Sequence, residues 1–287
     1  INVPLAAAAG AMAYLYVDPD NEEGTTRLDV VGAILATAGL GLMTWALTEG
    51  SGRLFSPVAF VALGAGTLLL IAFVFAEHRR GNKAMMPLAL FGSASFVGLT
   101  LLTLLLYGAL GGLIVLVPYV LIEAGDYSAT QAGAALLPLP LILAIASPAA
   151  GALAAKIGPR WPLVIGPVIV AVGFLLALRI GSDASYWTGV LPSMVVIALG
   201  MACAVAPLTT AVLMSVDAHH VGAASGMNSA VARTGGLVTT ALVGGVLAAS
   251  GPALAHAFGI AAIAGAALCV GASLSAFFLI GGIAKKK

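Results

Sequence analysis

The chain has 287 residues, 61% hydrophobic and 8% charged, with a net charge of +1 and a mean hydropathy of +1.11. About a quarter of a soluble domain is charged, so a globular fold in water is excluded, and the charge balance leaves no basic footprint for nucleic acid. The apolar residues fall in runs of about 20, enough to cross a hydrocarbon core of ~30 Å as a helix, without the alternation of barrel strands. The chain reads as an all-α polytopic membrane protein.

Nine spanning helices are expected in order. The first covers residues 1 to about 17 and reads as cut short at its start, which marks the chain as a fragment. An acidic loop follows to Asp29, with Arg27 in it. The second, about 30–47, is rich in small residues (Gly32, Ala36, Gly39, Gly41) that let helices approach closely. The third, about 56–76, ends in the basic run EHRRGNK at 77–83. The fourth is long, about 91–122, with Gly111, Gly112 and Pro118 as sites of bending. Ser128 or Thr130 caps the fifth, which runs into GALAAKIGPR at 151–160 and contains Pro138, Pro140 and Pro148. The sixth is about 162–178, the seventh 186–214, the eighth 221–247 and the ninth 258–283.

Alternating sides gives a test of this count. Lys156, Arg160, Arg27, Arg79, Arg80, Lys83 and the terminal Lys285, Lys286 and Lys287 fall on one side, against Arg53 and Arg179 on the other. By the positive-inside rule the rich side, with the C-terminus, is cytoplasmic.

Few groups at membrane depth could carry chemistry. The four histidines lie at helix ends, and no HExxH, phosphate loop or Ser/His/Asp set occurs; an enzyme and a metal site are not expected. Cys203 and Cys269 read as small core residues. Arg233 is the exception. A charge there costs about 3 kcal/mol unless it faces protein or water, so it either serves a substrate or ion path or snorkels to the interface. Asn228, five residues earlier, need not share its face. Tyr107 needs a partner or water for its phenol. Thr100, Thr103, Met201, Thr239 and Thr240 are the other polar or adaptable groups, with packing the simpler role for each.

The hairpin GALAAKIGPR resembles the loop signature between the second and third helices of each half of major facilitator transporters. Gly151, Leu153, Ala154, Lys156, Gly158 and Arg160 fit it, whereas Ala155 replaces the usual acid and Pro159 a basic residue. INVP at the start, VPYVLIEAGDYSATQAGAALLP at 117–138 and VGAASGMNSAVARTGG at 221–236 resemble segments of the fourteen-helix drug/proton antiporter branch, with Asn228 and Arg233 at matching places.

The resemblance implies a major-facilitator-type six-helix bundle at 91–287, two linker helices with cytoplasmic loops at 18–90, and at 1–17 the truncated last helix of an N-terminal bundle. It implies a secondary transporter of the inner (plasma) membrane, monomeric, exporting amphipathic or cationic small molecules in exchange for protons. No cofactor is expected beyond the proton gradient. The partners would be a small-molecule substrate, the lipid bilayer and the absent half of the same chain, which would carry the coupling carboxylates. Tyr107, Met201, Asn228 and Arg233 become candidates for the substrate path. Other readings remain: export of a self-made metabolite or an organic anion, or a membrane scaffold or sensor without transport.

Overall fold

The computed structural model describes residues 2–16, 29–50, 56–81, 88–180, 185–217 and 220–281, and these are helical with short connections. The helices are α1 (Asn2–Tyr16), α2 (Val30–Gly50), α3 (Pro57–Arg80), α4 (Ala94–Gly125), α5 (Ala129–Ala135), α6 (Pro138–Ile157), α7 (Arg160–Ala177), α8 (Leu191–Met214), α9 (Val221–Leu242), α10 (Gly244–Leu247) and α11 (Pro252–Leu279). Arg27, Arg53, Lys83, His219 and the terminal lysines lie outside the described residues.

Local chemistry sets many of the ends. Ser56 accepts the Ala59 N–H ahead of Pro57, and Ser93 accepts that of Phe96. Of the two capping candidates for the fifth helix it is Ser128 that acts, in a reciprocal capping box with Gln131. Asp126 closes α4 in the left-handed conformation at φ 55°.

Seven of the nine expected spans are long and apolar enough to cross a membrane, among the described residues. The other two are helical but fall short in different ways. α1 has 15 residues. α9 has 22 but carries Ser225, Asn228, Ser229, Arg233, Thr234, Thr239 and Thr240, which lower its apolarity.

Several boundaries differ from expectation. The fifth helix is two pieces, interrupted at Leu136 and Leu137 just ahead of Pro138, which has no N–H to donate. A π-turn at Tyr186–Val190 precedes α8, next to Pro192. The eighth expected helix turns at Val243, before Gly244 and Gly245. The ninth starts at Pro252 behind Gly251 (φ 55°) and stops at Leu279.

The order of neighbours is α6, α8, α7, α11, α4, α9, with α8 touching α9 to close a six-helix bundle. Its core is built from Leu99, Leu106, Leu113, Leu163, Phe174, Met194, Ile197, Leu208 and Cys269. The α2–α3 hairpin packs on α9 through α2. Glycines bring backbones together at the crossings. A Cβ on Gly166 would meet Gly200 O at 2.9 Å, and one on Gly39 would meet Gly66 O at 3.2 Å.

Contacts at helix ends orient the bundle. Gly98, early in α4, faces Leu279 of α11, and Arg160 at the start of α7 reaches Phe277. The start of α4, the α6–α7 hairpin and the end of α11 therefore share a side. Arg80 at the end of α3 pairs with Asp29 ahead of α2. Both carboxyl groups at this base, Asp29 and Glu77, are buried. From the sequence, Asp29 falls in a polar, acidic loop and Glu77 in the basic end of the third helix.

Candidate functional site

A cavity of about 420 Å³ opens between α4, α8 and α9. It is lined by Tyr107, Thr209, Val212, Leu213, Ser225, Asn228, Ser229, Ala232 and Arg233. Three of the four path candidates meet here. The fourth, Met201, is 1% exposed in the bundle core and is not part of the lining. Its position on α8 turns it toward the packed interior, leaving Thr209, Val212 and Leu213 of that helix to face the cavity.

The cavity wall on α9 is a helical stripe. Ser225, Asn228, Ser229, Ala232 and Arg233 repeat at three- and four-residue steps, so one face of the helix collects them. Asn228 and Arg233 flank Ser229 and Ala232 on that face, which settles how two residues five apart share a site. Thr209, Ser225 and Ser229 were not singled out from the sequence. The three-four spacing around Asn228 was the signal that could have found the two serines.

The crossing of α4 and α9 fixes this wall. A Cβ on Gly235 would lie 2.5 Å from Leu104 O, and one on Gly111 would lie 2.6 Å from the Gly236 Cα. Backbone thus touches backbone just beside Tyr107 and Arg233. The two helices run parallel: Thr103 meets Asn228, Gly112 meets Thr239, and Tyr119 donates to Leu247 O at 2.6 Å.

One hydrogen bond ties the polar end of the cavity to the core. Thr103, fully buried, donates from Oγ1 to Asn228 Oδ1 at 2.7 Å and lies 2.8 Å from Leu99 O. Its single proton serves one acceptor at a time. Thr239 and Thr240 donate to the carbonyls of Gly235 and Gly236, a packing role. Among the described residues Arg233 is the only charged group lining the cavity, and it pairs with no carboxylate. A lone guanidinium beside hydroxyls and an amide, with apolar flanks, can hold an anionic or carbonyl-bearing group of an otherwise greasy molecule. Among the described residues no three His, Cys, Asp or Glu gather as metal ligands.

A second cavity, about 240 Å³, lies between α4, α9 and α11, lined by groups such as Leu116, Phe174, Leu242, Phe258 and Leu268. It has no charge, and none of the path candidates line it.

The loop-signature residues do structural work. Gly158 adopts φ 89°, a conformation that glycine enters without a Cβ clash, and turns the α6–α7 hairpin. Lys156 sits in the last turn of α6. Gly151 stands where a Cβ would meet that of Ala206 on α8 at 3.5 Å, an ordinary contact. Arg160 donates from Nη2 to Phe277 O at 2.9 Å and stacks over the Phe277 ring at 5.8 Å. The hairpin therefore fastens α7 to α11.

Residues 99–285 match the Major Facilitator Superfamily. The chain is 29% identical over 250 residues to the multidrug resistance protein Stp of Mycobacterium tuberculosis, covering 87% of this chain and 46% of that protein. It is 31% identical over 251 residues to a probable actinorhodin transporter of Streptomyces coelicolor, covering 85% and 43%. To the tetracenomycin C resistance and export protein of Streptomyces glaucescens it is 26% identical over 255 residues, covering 86% and 46%. The chain thus spans less than half the length of these curated relatives. With a match over more than half its length and a helical bundle of apolar, membrane-length segments, the chain belongs to the Major Facilitator Superfamily.

Proposed function

We propose that this chain forms the C-terminal portion of a secondary exporter that moves amphipathic small molecules out of the cell in exchange for protons. The observation that carries the reading is the cavity between α4, α8 and α9, which holds Tyr107, Asn228 and the cation Arg233, unpaired among the described residues, with apolar and hydroxyl groups around them. Relatives named for drug resistance and antibiotic export support it. In alternating access a second bundle rocks against this one around a site near the membrane midplane. The rest of the polypeptide would supply that bundle and the carboxylates that couple transport to protons. α1, whose described side chains are exposed, would pack there. The protein would be a monomer in the plasma membrane, with the side carrying Arg80, Lys156 and Arg160 facing the cytoplasm.

The test is expression of the full-length polypeptide in an efflux-deficient bacterium, with dye accumulation and resistance measured with and without a proton uncoupler. Uncoupler-sensitive reduction of accumulation is expected. Unchanged accumulation for every compound tried would overturn the multidrug reading.

A second reading keeps the mechanism and changes the cargo to a self-made metabolite or organic anion. The lone Arg233 favours it, as do the relatives named for actinorhodin and tetracenomycin C. Under this reading Arg233→Ala abolishes export of the anionic compound and leaves cationic dyes untouched.

A further inference from the structure

At the base of the α2–α3 hairpin two buried acids meet the exposed Arg80, away from the cavity. Asp29 stands ahead of α2, and its side chain is 2% exposed. Its Oδ1 accepts the Gly32 N–H at 2.7 Å and the Arg80 guanidinium. Its Oδ2 is buried and receives neither of them. Glu77, on the last turn of α3, is fully buried. A Cβ built on Gly32 would lie 2.7 Å from Glu77 Oε1 and 2.9 Å from Asp29 Oδ2, so both carboxyl groups crowd the same point. Asp29 Oδ2 has no donor among the described residues, and Glu77 Oε1 is the carboxyl oxygen that crowds the same point.

Two ionised carboxylates cannot hydrogen-bond each other, since each is acceptor only. A hydrogen bond between them requires a proton on one. Asp29 already has two donors on Oδ1, which favours its anionic form. A proton placed on Glu77 would give Asp29 Oδ2 the donor it lacks. Asp29 anion, Glu77 acid and Arg80 cation together carry no net charge, and a single anion beside Arg80 is less costly there than two.

We propose that Asp29 and Glu77 form a proton-binding site that holds one shared proton at neutral pH and, with Arg80, pins the base of the α2–α3 hairpin. Losing the proton leaves two anions beside one cation, and the hairpin base loosens. Among the described residues, the other titratable or charged groups on the neighbouring elements are few. α3 brings His78 and Arg79, the latter over the Phe75 ring at 4.4 Å. α9, packed on α2, brings His220 at its N-cap and Arg233 just past its middle. Glu49 is at the far end of α2. The site is separate from the cavity, so its failure would leave the transport reading standing.

Infrared spectroscopy of the full-length polypeptide in liposomes tests this. At neutral pH the wild-type spectrum should contain a protonated-carboxyl C=O band that is lost in Glu77→Gln. The same band should be lost in Asp29→Asn, because Glu77 then stands alone beside Arg80 and ionises. Glu123→Gln, at the other end of α4, should leave it in place. A band unchanged in Glu77→Gln overturns the proposal. A band that persists in Asp29→Asn also does so, since burial alone would then hold the proton. Thermal unfolding against pH gives a second measure. The wild type should lose stability as pH rises above neutrality, and Glu77→Gln, which cannot release that proton, should not. Parallel curves for the two proteins would count against the site.

Discussion

Replacing Gly235 by Ala sets two physical effects against each other. Within a helix, Ala is favoured over Gly by about 1 kcal/mol, so propensity alone predicts stabilisation. The structure predicts the reverse. The new methyl would lie 2.5 Å from Leu104 O and 3.1 Å from Gly108 N, whereas ordinary contact begins near 3.4 Å. Both neighbours are backbone, so α4 and α9 must part by about 1 Å. A gap of that size forfeits roughly a quarter to a half of each dispersion contact along the crossing, and overpacking of this kind costs about 1–3 kcal/mol. The upper end applies, because no side chain can rotate away, and the net effect is a loss of about 2 kcal/mol. Gly226 on the same helix is the control, since a Cβ there meets nothing within 4 Å. Gly226→Ala should gain up to about 1 kcal/mol. The two variants of this chain, unfolded by detergent titration in mixed micelles and followed by circular dichroism, should differ by about 3 kcal/mol. Equal stability of the two would refute the close crossing of α4 and α9.

Thr103→Val should destabilise by about 1–2 kcal/mol, because Asn228 loses its hydroxyl partner, while Thr103→Ser stays close to wild type; the same unfolding assay reads both. Arg233→Ala and Arg233→Lys should both lower export of an anionic substrate, with Lys retaining part, and vesicle uptake at matched protein levels measures this. Transport unaffected by either change would leave Arg233 as an interface anchor only. Arg160→Ala removes the bond to Phe277 O and should cost about 1 kcal/mol, with little recovery from Lys, which lacks the planar fork. Acid should weaken the hairpin. Burial pushes the Asp29 carboxyl up, but the Gly32 N–H, Arg80 and Glu77 outweigh it and hold the value below the usual 3.8. Its stabilisation is present above that ordinary value and lost as pH falls through the lowered one. Asp29→Asn should flatten the acid limb of the unfolding curve.

Much of the fold was legible because lipid simplifies the problem. Apolar runs of fixed length give the helices, and Ser128 marks a start by an elementary capping rule. Pairing between helices was not legible. The run of small residues in α2 announced close approach, but nothing in it named Gly66 and Leu70 of α3 as the partners of Gly39. The site shows the same division. Arg233 stood out by the cost of its charge, and Tyr107 by its hydroxyl. Met201 looked equally eligible, because sequence cannot say which way a residue on an all-apolar helix turns. Asp29 and Glu77 escaped notice for the opposite reason. Charged residues next to a basic run read as solvated, and only the fold of the hairpin buries them.

The glycine crossing bears on how the cavity could change shape. Where α4 and α9 touch through Gly111, Gly235 and Gly236, no side chain intervenes whose rotation could let one helix slide past the other. The pair behaves as a single stiff plank, tied at one end by Thr103, while beyond its other end Tyr119 ties α4 to α10. Compliance in the cavity wall is left to the α8 side, where Thr209, Val212 and Leu213 face the plank across open space. A ligand that swells the cavity should displace α8 and leave the distance between Tyr107 and Arg233 unaltered.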